Sequence, residues 1–212
     1  MRTFIGIGSD HETMDFVERI MDIAREHRPS AVTVEYLMDD NSVPNLTPME
    51  QGAFRVEFAD WLQSLDGPEY NFDRQMPKNI YVGDYEVPLE PSPETIGLVA
   101  YALDQDIPFY FIEWAERIPG YIFQFHGGLF TPISLEEAVG NKDYFQRFKE
   151  AANNYEYVGG MVTERNQFMA DVINHLFGDH QVIIHGGGRL HFYSEQQEKK
   201  WKITGGNELH YL

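Results

Sequence analysis

The chain has no cysteine in its 212 residues, so no disulfide braces it and any metal would have to rest on histidine and carboxylate side chains. It is also short of positive charge. Lysine and arginine number 16 against 34 aspartates and glutamates, and the formal charge of -18 is the wrong sign for a phosphate backbone or an anionic lipid surface. Nucleic acid and membrane are therefore not expected as partners. Long apolar runs are missing too: no window approaches the roughly 18 residues that a spanning helix needs. The first residues enter a strand with no basic region and apolar stretch ahead of it, so no secretory signal is visible and a cytoplasmic location is expected. Oligomeric state is not readable from the sequence. What is abundant is apolar and aromatic residues, 42% and 14%, enough for one domain over residues 1–212 with a sizeable core.

The apolar pattern alternates between strand and helix. Phe4, Ile5 and Ile7 read as a short buried strand. Met14, Val17, Met21 and Ala24 follow at helical spacing up to Pro29, and "AVTVEYL" at 31–37 is a β-branched run of strand length. This β-α-β order predicts a parallel pair of neighbouring strands. Thr47, Pro48 and Glu50 form a helix-start signature, and Phe54, Phe58, Trp61 and Leu65 behind it predict a second helix. Residues 66–90 are rich in proline and glycine and read as a long excursion with one short strand at "NIYVG". Ser92 and Pro93 open another helix carrying Ile96, Val99 and Leu103, and "IPFYFIE" at 107–113 is a third strand.

The aromatic, glycine-punctuated stretch from Trp114 to Phe130 reads as a hairpin or lid, or as packing against the core. Ser134 with Glu137 marks a short capped helix, 141–153 another, and Gly159-Gly160 separate that one from a longer helix over 162–177 that stops at Gly178. "QVIIH" at 181–185 is a fourth strand running into Gly186, Gly187 and Gly188; a short helix from Ser194 and an apolar stretch around Leu209 complete the chain. The class is α/β, a single domain with a mainly parallel central sheet flanked by helices.

In such a sheet, ligands bind beyond the carboxyl ends of the strands. Those ends carry Asp10 and His11 after the first strand, Glu35 late in the second, Glu113 closing the third, and His185, Arg189 and His191 around the end of the fourth. Glu35 interrupts a buried-looking strand, where an unpaired carboxylate would cost several kcal/mol, so it needs a partner. Arg165 stands in the first turn of the expected 162–177 helix, where the dipole disfavours a cation, and it shares the face of Met169, Val172 and Leu176. A guanidinium aimed inward there points to a carboxylate or an anionic ligand, with Glu35 the candidate.

Taken in order, four segments resemble the TraB/ChaN/Tiki-like superfamily of pheromone-shutdown proteins, haem-binding lipoproteins and, more distantly, erythromycin esterases. They are Gly8-Ser9-Asp10-His11 as a Gly-x-x-His motif, "RPSAVTVEYL", "ERNQFMADVI" and "VIIHGGGRLHF", which together span nearly the whole chain. The resemblance implies a ChaN/erythromycin-esterase-like α/β fold. Through the esterase branch it also implies hydrolase roles on a small-molecule or peptide substrate, in which His11 is the general base, supported by Glu35 and Arg165. The Tiki-like branch implies instead metal-dependent peptide hydrolysis through two Gly-x-x-His motifs. The second motif departs from the pattern: ungapped alignment places Arg189 where the second histidine belongs. A shift of two residues gives Gly188-Arg189-Leu190-His191, and His185 is another substitute.

Three readings follow. In a metal-free hydrolase of ester or peptide bonds, His11 takes a proton from water, Glu35 orients or charges it, and Arg165 with Arg189 stabilises the oxyanion. In a metal-dependent one, His11, Glu35 and His185 or His191 hold a divalent ion. The third is a binding module without turnover, for haem, a metal or a small anion. A divalent metal is the cofactor considered first, and haem second.

Overall fold

The apolar runs at 3–9, 31–34, 109–111 and 182–188 set the frame of the molecule, whose computed structural model describes residues 2–9, 15–35, 54–55, 79–82, 85–88, 92–112, 121–126, 129–143, 158–192, 203 and 205–212. Among these, chain order gives strand β1 (Thr3–Ser9), helix α1 (Phe16–His27), strands β2 (Ala31–Val34), β3 (Phe54–Arg55), β4 (Asn79–Val82) and β5 (Tyr85–Pro88), and helix α2 (Pro93–Asp104). Strands β6 (Phe109–Phe111), β7 (Tyr121–His126) and β8 (Leu129–Ser134) follow, then helices α3 (Leu135–Val139) and α4 (Val158–Leu176), strand β9 (Val182–Gly188), helix α5 (Arg189–Phe192) and strand β10 (Gly206–Tyr211).

The main sheet has seven strands in the order β10-β1-β9-β2-β6-β7-β8. Its first five strands are parallel, and β7 and β8 add an antiparallel hairpin beside β6. The class expected from the sequence, a mainly parallel sheet flanked by helices, is therefore present, and the aromatic stretch supplies the hairpin. A second, antiparallel sheet joins β3, β4 and β5.

Residue alternation divides the core between two faces. Ile5, Ile7, Val32, Val34 and Ile184 pack with Ile20 and Ala24 of α1 and with Leu98 and Val99 of α2. Phe4, Ala31 and Ile183 point the other way, against Phe168, Met169, Val172 and Ile173 of α4 and Phe192 of α5. Each such fully buried side chain contributes about 1.5–3 kcal/mol relative to exposure. Helix α2 is buried all round from Pro93 to Ala102, as an apolar helix without a polar face must be.

Helix ends follow the local chemistry. Ser92 caps α2 by accepting the Thr95 N–H, with Pro93 in the first turn, and Ser134 caps α3 by accepting from Glu137. Helix α1 stops at Arg28, which takes a left-handed φ of 48° and returns its N–H to Ala24 O, because the following Pro29 disfavours helical geometry there.

Four expectations are corrected. Strands β1 and β2 are parallel but not neighbours: β9 lies between them, paired with both. Ile183 and Ile184 carry large apolar groups on opposite faces, which suits β9 to the position covered by helices on both sides. Within the helix expected behind Thr47, Phe54–Arg55 is a strand paired with β4, cross-strand pairing having overridden local periodicity; the rest of that segment lies outside the described residues. Helix α4 begins at Val158 and runs through Gly159 and Gly160, so Arg165 stands about two turns inside the helix and the misplaced-cation argument no longer applies. Strand β9 continues through all three glycines to Gly188 rather than turning at them. Of the helix expected over 141–153 only 141–143 are described, outside any helix, and the segment from Ser194 lies outside the described residues.

Candidate functional site

The connections to and from β9 create the site's location. Helices α1 and α2, which follow β1 and β2, cover one face; α4 and α5, which flank β9, cover the other. With β9 inserted between β1 and β2, the connections leaving adjacent strands pass to opposite faces, α1 and α2 on one and α5 on the other, and a crevice forms at the carboxyl ends of such strands. Three backbone ends meet there: Ser9, in register with Gly188, and Glu35, whose N–H donates to Gly186 O at 2.8 Å.

Glu35 is buried at 3% exposure, and the partner it needs is His191. Glu35 Oε1 lies 2.8 Å from His191 Nε2, and Oε2 accepts the Gly188 N–H at 2.7 Å. Glycine at 187 is required by this approach, since a Cβ there would stand 2.9 Å from Oε2. On the far side of the ring, His191 Nδ1 is 2.5 Å from Asn166 Oδ1, and Asn166 Nδ2 donates to His191 O at 3.0 Å. That second bond fixes the amide so that its oxygen faces Nδ1, which must then carry a proton. A further proton is left to be held between His191 Nε2 and Glu35 Oε1. Helix α4 thus supplies the group that orients the imidazole, α5 the imidazole, and the end of β2 the carboxylate.

Beneath this pair lies His185, wholly buried, with its ring 6.5 Å from that of Phe4 and 5.8 Å from that of Phe192. The Thr33 hydroxyl donates to Ile184 O at 3.4 Å and accepts from His185 Nδ1 at 3.0 Å, which makes Nδ1 the protonated nitrogen. Burial pushes the His185 pKa down to about 3, against the opposing pull of Glu35, so the ring is neutral. On the opposite face of the same strand ends, Ser9 Oγ donates to a carboxylate oxygen of Glu94, which is wholly buried in the first turn of α2. Thr95 Oγ1 reaches back to Glu35 O at 3.4 Å, linking the two polar groups.

Of the residues singled out in the sequence, Glu35, His185 and His191 come together at the ends of β2 and β9. Arg165 and Arg189 lie in α4 and α5, and their side chains are outside the described residues, as are His11, Asp10 and Glu113. The partner shown for Glu35 is the shifted Gly-x-x-His histidine. Asn166, Ser9, Thr33 and Glu94 were not singled out. Asn166 follows Arg165 in the "ERN" segment, and its neighbourhood was the one signal available.

In the described part of this cluster, Glu35 and His191 need no metal to satisfy their polar atoms. Both oxygens of Glu35 and both ring nitrogens of His191 are engaged in the bonds given above, and His185 Nδ1 is held by Thr33. Compared with family models, curated proteins and solved structures, the chain matches none.

Proposed function

We propose that this chain is a metal-free hydrolase of ester or peptide bonds, of the TraB/ChaN/Tiki-like type, working at the carboxyl ends of β1, β9 and β2. The observation that carries this reading is the 2.8 Å contact between Glu35 Oε1 and His191 Nε2, oriented by Asn166 and seated at the crevice of the sheet. In this reading His11 takes a proton from water as the water oxygen attacks the carbonyl carbon, and the carboxylate–imidazole pair passes its shared proton to the leaving alcohol or amine as that bond breaks. Exchange with solvent then moves the proton off His11 and restores the one on the pair. Positioned acid–base groups of this kind supply about 10²–10⁴-fold in rate. His11, two residues beyond Ser9 in the sequence, is the base that the superfamily resemblance implies, and Arg165 and Arg189 are the cations available to an oxyanion.

The test is turnover by the full chain after exhaustive treatment with a chelator, on a panel of esters and peptides, beside His11→Ala. Retained turnover in the chelated protein and loss in the variant support the reading. Turnover that disappears with the metal, or that is equal in both proteins, refutes it.

The depth of the pair favours a second reading, a binding module without turnover for haem, a metal or a small anion. Glu35 and His191 are 3% and 5% exposed and their polar atoms are satisfied by the fold, as in a polar cluster that specifies structure. Ligand binding with no turnover on any panel member would select it.

A further inference from the structure

Away from the carboxyl-end cluster, three side chains from the two ends of the chain converge on the outer edge of the sheet. Glu208 and His210 alternate along the edge strand β10, in register with Ile5 and Ile7 of β1, so both project onto the face covered by α1. His27 is the last residue of α1 and lies over the same edge. Its ring and that of His210 meet edge to face with centroids 5.6 Å apart.

The ligand-bearing atoms are arranged as a set. Glu208 Oε1 is 3.5 Å from His27 Nε2 and 3.1 Å from His210 Nε2, and one donor atom from each of the three residues lies within 4.8 Å of the other two. Both Nε2 atoms are shielded from solvent, yet neither makes a hydrogen bond among the described residues, the nearby carboxylate included. Two imidazole nitrogens turned toward a carboxylate oxygen without bonding to it are a poor solution for a polar cluster. They are a good one for a shared ion. Zinc bound tetrahedrally at about 2.0–2.1 Å from nitrogen and oxygen sets its ligand atoms roughly 3.3 Å apart, which the two contacts to Oε1 bracket.

We propose that His27, Glu208 and His210 form a binding site for a divalent transition-metal ion of the zinc class, with the fourth position open to water. Two nitrogens and one carboxylate oxygen suit zinc and the neighbouring borderline ions rather than calcium or magnesium, which prefer all-oxygen shells. Glu208 is half exposed, with side-chain exposure of 51%, so the ion has a route from solvent. Bound there, it ties the exposed edge strand to the end of the first helix, and so joins the last strand of the chain to its beginning. The site is independent of the reaction proposed at Glu35 and His191.

The experiment is calorimetric titration of the chelator-treated full chain with Zn²⁺, paired with thermal unfolding in the presence and absence of the ion. One equivalent should bind and raise the melting temperature. His210→Gln and His27→Gln should each weaken binding by more than the roughly 10–100-fold that loss of a supporting contact costs. Glu208→Gln, a change at a half-exposed position, should weaken it as well and serves where a histidine variant folds poorly. Absence of binding by the unaltered chain overturns the proposal, as does binding that survives these substitutions or follows His191→Gln instead.

Discussion

His191 Nε2 stands 2.8 Å from Glu35 Oε1, and both side chains are buried where β2 and β9 end. A carboxylate held this way depends on its partners more than on its surroundings, since removing one member of a buried pair strands the other in a medium that cannot solvate it.

Glu35→Ala is accordingly expected to lower stability by about 3–5 kcal/mol, because it strips His191 and the Gly188 N–H of their acceptors at once. Glu35→Gln keeps an oxygen for the Gly188 amide and should lose less. Urea denaturation of the three proteins at neutral pH measures both; equal midpoints for Glu35→Ala and the parent chain would show that the pair carries no weight in the fold.

His185 makes stability depend on pH in a defined direction. Its folded pKa is about 3 and its unfolded value is the ordinary 6.5, so between those values the unfolded chain holds a proton that the folded chain does not. Its contribution is complete above pH 6.5 and is lost as pH falls toward 3, with a slope of at most about 1.4 kcal/mol per pH unit. Denaturation midpoints at pH 7 and pH 5 should therefore converge more closely in His185→Gln than in the parent chain. Identical pH dependence in both would remove His185 from the account.

Gly187→Ala should cost about 1–3 kcal/mol by overpacking. The added methyl would meet Glu35 Oε2 at 2.9 Å, and the carboxylate can escape only by leaving the Gly188 amide. Urea midpoints together with turnover of an accepted substrate check this, and a variant matching the parent in both would show that the glycine is not needed for the close approach.

Much of this arrangement was legible because certain residues are hard to place otherwise. Glu35 breaks an apolar strand, so a buried carboxylate with a partner could be expected from the sequence. The partner was less accessible: His191 entered only through a shifted motif, while the inward-pointing Arg165 rested on a helix start that Gly159 and Gly160 do not provide. Glycine has a poor helix propensity, but a helix packed on a sheet can carry two of them. The insertion of β9 between β1 and β2 was hidden for a different reason, since strand order is decided by which faces must be covered and not by chain order. The strand at Phe54 was masked by a capping signature and an aromatic period that fit a helix equally well. No local motif could reveal His27 beside Glu208 and His210, whose meeting depends on the last strand adding in parallel to the first.

Ser92→Ala offers a test of the helix that closes the other face. Ser92 Oγ accepts the Thr95 N–H at 3.3 Å and lies 2.9 Å from Thr95 Oγ1, so its loss should cost about 0.5–2 kcal/mol through the unsatisfied first turn of α2. Thermal unfolding reads the change, and a melting temperature equal to that of the parent chain would mean that Pro93 and packing alone set the helix start.

The most direct measurement is kcat/KM of the parent chain and of His191→Gln on the same ester or peptide, with folding of the variant verified by its unfolding transition. A drop of about 100-fold or more, with little change in KM, is the result predicted for a group that holds the proton during bond cleavage. Equal kcat/KM in the two proteins, or no turnover by the parent chain on any ester or peptide, would contradict it.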